Sequence, residues 1–208
     1  MKNIRELMEW RFACKHFDSS KKISDEELKN LLDTTRLSPS SSGLQAWKFI
    51  VVTGQDIREK LFPVCDNQSQ IKEASTLVFC CARTDLLGKN GVIERYAKLY
   101  QKENSKTEEE TLKYEERLSK SVSSKDKEWQ KNWVEKQVYI AVEVLILAAA
   151  EKAIDSCPME GFDADGVAKV LELPKDFHPT VLVSLGFRSM TQPKKIRFDF
   201  DEVVEIRN

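Results

Sequence analysis

The segment Trp129–Ala150, WQKNWVEKQVYIAVEVLILAAA, changes character along its length. Trp129, Trp133, Val134 and Val138 are interleaved with charged and polar residues, whereas Ile140, Ala141, Val144, Leu145 and Leu147–Ala150 make the second half apolar nearly all round. A helix of that kind runs into an interior or a subunit interface rather than along a wet surface. Glu143 interrupts the run from Val138 to Ala150, which is also too short to cross a bilayer. The segment is therefore expected to be a central helix, with the rest of the chain arranged around it and no membrane span.

Two β-branched runs precede it, Lys48–Thr53 (KFIVVT) and Thr76–Ala82 (TLVFCCA), both of the buried-strand type, with a helix predicted over Ile57–Cys65 between them. After it come a short helix from about Asp163 to Leu171 and a third strand over Thr180–Phe187. At the start of the chain Ile4, Leu7, Met8 and Phe12 recur at helical spacing, and Arg11 and Lys15 would be neighbours on another face if that helix continues. Ser24 with Glu27 is a capping-box pattern opening a second helix, whose stripe is Leu28, Leu31, Leu32 and Leu37 and which ends before Pro39. Gln101–Lys136 is about half charged, with mixed signs, and reads as an exposed helical arm. The tail from Gln192 is charged and extended. This order of elements predicts an α+β protein with one domain over residues 1–208 and a helical excursion at about 90–124.

Composition narrows the function. The 208 residues are 41% hydrophobic and 32% charged, enough for one solvated core. Thirty-three basic against 34 acidic residues give a net charge of −1, which excludes the field of a general nucleic-acid binder. Cys14, Cys65, Cys80, Cys81 and Cys157 are odd in number with no CxxC, so reduced, mostly buried thiols are expected. With only His16 and His178 and no clustered ligands, metal chemistry is disfavoured, and the seven glycines form neither GxGxxG nor a P-loop. The first residues lack a signal-peptide pattern, and a cytoplasmic protein is expected.

Three segments carry candidate chemistry. Arg11 and Lys15 near one end, with Lys195 and Arg197 two apart in an extended stretch near the other, could converge on a phosphate dianion or could simply be solvated surface. Pro39-Ser40-Ser41-Ser42-Gly43, followed by Gln45 and Trp47, suits a polar planar ligand and equally suits a plain helix-to-strand loop. Pro158-Met159-Glu160-Gly161-Phe162 offers successive amides to an electron-rich ring atom, or is a turn at a helix end. His16 reads as structural or surface, and no Ser/His/Asp or Cys/His arrangement gives a nucleophile with its base.

Taken in order, these segments resemble the FMN-dependent nitroreductase family, in its oxygen-insensitive NAD(P)H nitroreductase and dihydropteridine reductase branch. Arg11-Phe12-Ala13-Cys14-Lys15-His16-Phe17, Leu37–Ser42 with Gln45 and Trp47, Lys136-Gln137-Val138-Tyr139, Pro158–Asp163 and Lys195-Ile196-Arg197 carry the resemblance, which runs along the whole chain. It implies a central mixed, mostly antiparallel sheet flanked by helices. It also implies an intertwined homodimer with FMN sites at the interface and a swapped carboxyl-terminal tail. By the same resemblance Arg11, Lys15, Lys195 and Arg197 hold the FMN phosphate, and Phe12 and Ala13 contribute backbone. Pro39, Ser40 and Ser42 come from the other subunit, Asn67 meets the pyrimidine edge of the ring, and the amides of Glu160 and Gly161 lie beside its redox-active edge.

The implied activity is ping-pong hydride transfer from NADH or NADPH through the flavin to a nitroaromatic, quinone or pterin. The arm from about Tyr96 to Ser121 shapes acceptor choice, and no side chain is assigned as an obligatory acid or base. The alternatives are a non-enzymatic flavin-binding or regulatory protein, or specialised dehalogenation or flavin fragmentation on the same fold. Three positions depart from the family pattern: Ala13 where a serine is common, Ala46 within Gln-Pro-Trp, and neutral Gln70 where a basic residue is expected. A lost hydroxyl-to-phosphate bond costs about 1 to 2 kcal/mol.

Overall fold

A computed structural model describes residues 3–207. The elements are α1 (Ile4–Trp10), α2 (Asp25–Arg36), β1 (Trp47–Val52), α3 (Gln55–Val64), α4 (Gln70–Glu73), β2 (Thr76–Arg83) and α5 (Val92–Asn104). These are followed by α6 (Glu108–Ser123), α7 (Lys127–Glu151), β3 (Asp155–Met159), α8 (Ala164–Val170), β4 (Phe177–Gly186) and α9 (Phe200–Val203). The strands form one sheet in the order β1-β2-β4-β3. Among the described residues every strand pair is antiparallel, in keeping with the α+β class and a mostly antiparallel sheet. Outside the named strands, an isolated parallel bridge joins Ala13 and Ser156.

β2 is central and buried on both faces, which is why it is continuously apolar rather than alternating. Its alternate residues serve two cores: Val78, Cys80 and Ala82 face the side packed by α2, α5 and α7, and Leu77, Phe79 and Cys81 the side packed by α3 and α8. Cys80 and Cys81 thus point to opposite faces, and all five cysteines are free and buried. Among the described residues no group of three or more His, Cys, Asp or Glu could hold a metal, and no helix is long and apolar enough to cross a membrane.

α7 is the central helix, burying Val134, Val138, Ala141, Leu145 and Ala149 against the first core while Trp129, Tyr139 and Ile140 stay exposed. The Ser24–Glu27 capping box opens α2 as predicted, but Leu37 lies outside the stripe at 69% exposure. α5 and α6 are not a wholly solvated arm, because Ile93, Ala97, Leu118 and Val122 are buried. The helical stripe read from Ile4 to Phe12 is cut short, and the condition that would make Arg11 and Lys15 helical neighbours is not met. α1 stops at Trp10, with Arg11 extended at φ −73°, ψ 145°.

β3 replaces the turn expected over Cys157–Met159. DSCPM has no β-branched residue, yet as the edge strand it pairs continuously with β4 alone, meets only the isolated Ala13–Ser156 bridge on its other side, and so tolerates Pro158. β4 begins at Phe177, before the predicted Thr180, and Pro179 is absorbed where the register shifts between Cys80 and Cys81.

Candidate cofactor-binding site

The extended stretch after α1 runs beside β3: Cys14 N–H donates to the Ser156 carbonyl at 3.1 Å, and Ala13 bridges Ser156. Alternation buries Phe12 and Cys14 and turns Arg11, Ala13 and Lys15 the other way. The two cations therefore share a face through strand geometry, not through the helical spacing read from the sequence.

Arg188, just beyond β4, holds this stretch in place. Its guanidinium lies 4.2 Å from the Trp10 ring centroid and 4.7 Å from that of Phe12, and it is anchored by buried Asp155 through Nε at 2.7 Å. The Asp155 carboxylate also accepts the Arg188 amide at 2.8 Å. Nothing in the spacing of Arg188 marks it in the sequence.

The carboxyl-terminal cations arrive at the same place. Lys195 Nζ donates to the Arg11 carbonyl oxygen. Burial lowers the Lys195 pKa, and the positive charges of Arg11, Arg197 and Arg188 lower it further. Lys15 Nζ donates to Cys157 Sγ at 3.4 Å, and Arg197 donates to the neighbouring Ile196 carbonyl at 2.6 Å. Among the described residues none of Arg11, Lys15, Lys195 and Arg197 forms an ion pair, and Arg11 Nε is buried with no hydrogen-bond partner.

Asn67 and the 160–161 segment meet beside this cluster. Asp66 and Asn67 both adopt left-handed φ, 54° and 51°, and the next residue, Gln68, donates from Nε2 to the Gly161 carbonyl at 2.7 Å. A Cβ at Gly161 would come within 2.9 Å of Asp66 Oδ2, so glycine there permits the close approach. Gln70 is buried with its amide 4.0 Å from Cys157 Sγ. The Glu160 side chain faces the α7 residue Tyr139, where burial and the Glu160 and Glu135 carboxylates push the phenol up to about 12. Both residues line a cavity of about 300 Å³ with Val142, Ile146, Pro158 and Met159. Burial and the Asp155 charge push the Cys14 thiol up to about 11, so it is a packed thiol and not a nucleophile at neutral pH.

The serine loop lies elsewhere in the chain. Gln137 Oε1 accepts the Ser41 amide at 2.8 Å, Ser40 Oγ accepts the Gln45 amide at 2.9 Å, and the Tyr114 hydroxyl donates to the Ser42 carbonyl at 3.4 Å. Gln137 and Tyr139 are two apart on α7, on roughly opposite sides. Pro39, Ser40 and Ser42 thus approach the central helix away from Glu160, and one chain does not bring them to the cations.

Residues 8–187 match the model of the nitroreductase family, and the chain belongs to that family. It is 36% identical to a Bacillus subtilis protein named "Putative NAD(P)H nitroreductase YfkO", covering 97% of this chain and 96% of that one. A Staphylococcus haemolyticus protein of the same description, SH0546, is 33% identical over 97% and 96% of the two chains. A protein from Exiguobacterium sibiricum solved in complex with FMN has the same fold, with a TM-score of 0.88 at 20% identity over 100% of this chain and 98% of that one.

Proposed function

We propose that this chain is an FMN-dependent NAD(P)H oxidoreductase. The observation that carries the reading is a set of four cations, Arg11, Lys15, Lys195 and Arg197, that form no ion pair among the described residues, with Arg11 Nε buried and without a hydrogen-bond partner, a donor set suited to a phosphate dianion. Arg11, Lys15, Lys195 and Arg197 hold the FMN phosphate, and the backbone of Phe12 and Ala13 borders it. Asn67 meets the pyrimidine edge, and the Glu160 and Gly161 amides face the redox-active edge. Bound FMN supplies a two-electron carrier that accepts a hydride from NADH or NADPH and returns it to a second substrate in the same pocket. The chain's own work is to fix the ring, restrict water and admit one reactant at a time to one face. The names of the relatives support NAD(P)H as reductant. Nitroaromatics, quinones or pterins are the acceptors, and the protein acts in the cytoplasm.

The site is completed by a second copy. Ile196, Phe198, Phe200 and Ile206 of the tail and Tyr139 and Ile140 of α7 are exposed large apolar side chains, of the kind that a second copy would cover. A groove of about 480 Å³ between α2 and β1, walled by Leu28, Leu32 and Val51, offers the partner's tail a seat. The partner's serine loop then reaches the flavin. Phe198→Asp combined with Phe200→Asp should shift the sedimentation of the protein from dimer to monomer, and a double variant that stays dimeric sinks the tail-swapped assembly.

The activity is tested by mixing FMN-saturated protein with NADH or NADPH without oxygen. The yellow absorbance should bleach and return on adding a nitroaromatic or quinone. Bound flavin that stays yellow with both nicotinamides overturns the oxidoreductase, and a chain that retains no FMN overturns the site.

A further inference from the structure

We infer that the cavity between the start of β1 and α5 is a second binding site, for an anion carried on a flat apolar body. It encloses about 450 Å³, within the range of small-molecule sites. Leu44, Trp47 and Tyr96 give it apolar walls, while Lys48, Arg83 and Arg95 come to it from β1, β2 and α5.

Charge decides the ligand. No carboxylate is among the described residues that line the cavity, although the chain as a whole carries slightly more acid than base. Asp85 is taken up by Arg83, whose Nε donates to it at 3.0 Å and whose Nη2 pairs with its second oxygen. Lys48 and Arg95 have no ion pair among the described residues. Cations held around one opening repel each other, and an anion relieves that repulsion. Arg95 adds the planar fork that fits a carboxylate or a phosphate. The apolar walls select an anion with a ring attached over a bare inorganic ion.

The cavity's floor continues into a strained segment. Ser42, Gly43 and Gln45 all sit at left-handed φ, 54°, 69° and 50°, and the Tyr96 hydroxyl closes on Gly43 so that a Cβ there would have to displace the tyrosine. Backbone of this kind is kept where the surroundings hold it in place, as at ligand sites. A ligand resting on Gln45 and Tyr96 braces the same loop from outside. The site stands on its own lining and does not depend on how FMN is bound.

Two sources share this chemistry, an aromatic carboxylic acid and a nucleotide phosphate. Titration calorimetry of FMN-saturated protein with 1-naphthoate, adenosine 2′,5′-bisphosphate and neutral 1-naphthamide separates them. One of the two anions should bind at least about tenfold more tightly than the amide, because a charge-assisted bond is lost in the neutral probe. Tighter naphthoate identifies an aromatic acid, and tighter bisphosphate a nucleotide. Arg95→Glu should weaken the bound anion by about tenfold or more, while Arg197→Ala, which lies in the phosphate cluster, should not. Failure of both anions to bind at millimolar concentration overturns the site. So does equal binding to Arg95→Glu, or a loss seen only with Arg197→Ala.

Discussion

Arg58→Met should lower the melting temperature of the FMN-free protein by roughly 10 °C, from a loss of about 3 to 5 kcal/mol. Arg58 is 2% exposed, and its guanidinium meets no carboxylate among the described residues. It donates instead to backbone oxygens: Val52 at 3.3 Å, Ile71 at 3.5 Å, Ala74, and Ser75 at 2.6 Å. These carbonyls belong to the end of β1, to α4 and to the turn that leads from α4 into β2, so one side chain from α3 ties these segments together.

Burial lowers the Arg58 pKa, which shows that the site charges the cation for its lost water. The compensation comes from the carbonyl dipoles. Methionine fills the stem volume but leaves those oxygens dry and unpaired, and each such group costs about 1 to 3 kcal/mol. Arg58→Lys should recover less than half of the loss, since one ammonium cannot span carbonyls arranged for a planar fork. Thermal denaturation of the three proteins checks this, and a methionine variant that melts within 2 or so degrees of the parent, about 1 kcal/mol at this size, refutes it.

Arg58 also marks where sequence reading stops. In the sequence it is one of 33 basic residues, and no local spacing says that its guanidinium turns inward. What is local was legible: Ser24 and Glu27 cap α2 within one turn, and the apolar second half of α7 announces burial by itself. What depends on distant partners was not. Phe12 fits the stripe set by Ile4 and Met8 and reads as helical, but it lies beyond the end of α1 and is packed under Arg188, which is distant in sequence and just past β4. β3 has no strand signal of its own and is drawn into the sheet by β4. Spacing likewise gave no ground for Lys195 reaching the Arg11 carbonyl; only the resemblance to a family implied that the two chain ends share a task.

That shared task yields the other large effect. Arg11→Met should weaken FMN by about 10- to 100-fold, the value of a charge-assisted bond or two, while riboflavin, which has no phosphate, should bind nearly as before. The contrast separates loss of a phosphate contact from a damaged ring pocket. Arg11 leads because its Nε is already out of water with no partner, so an arriving phosphate oxygen meets a donor that has paid its desolvation. Arg197 is exposed and bonded to its neighbour's carbonyl, and Arg197→Ala should cost less, about threefold.

Lys195 adds a pH signature. Its folded-state pKa is lowered, so without the anion the unfolded chain holds that proton more firmly and the apo-protein gains stability as pH rises through the lowered pKa. A phosphate dianion beside Lys195 favours the ammonium and reverses that gain. FMN affinity should therefore fall as the solution becomes alkaline enough to discharge Lys195, and this limb should disappear in Lys195→Met. Fluorescence titration of FMN and riboflavin across that range, in the parent and in the Arg11→Met, Arg197→Ala and Lys195→Met variants, measures all of it. Equal losses of FMN and riboflavin in Arg11→Met would remove Arg11 from the phosphate site.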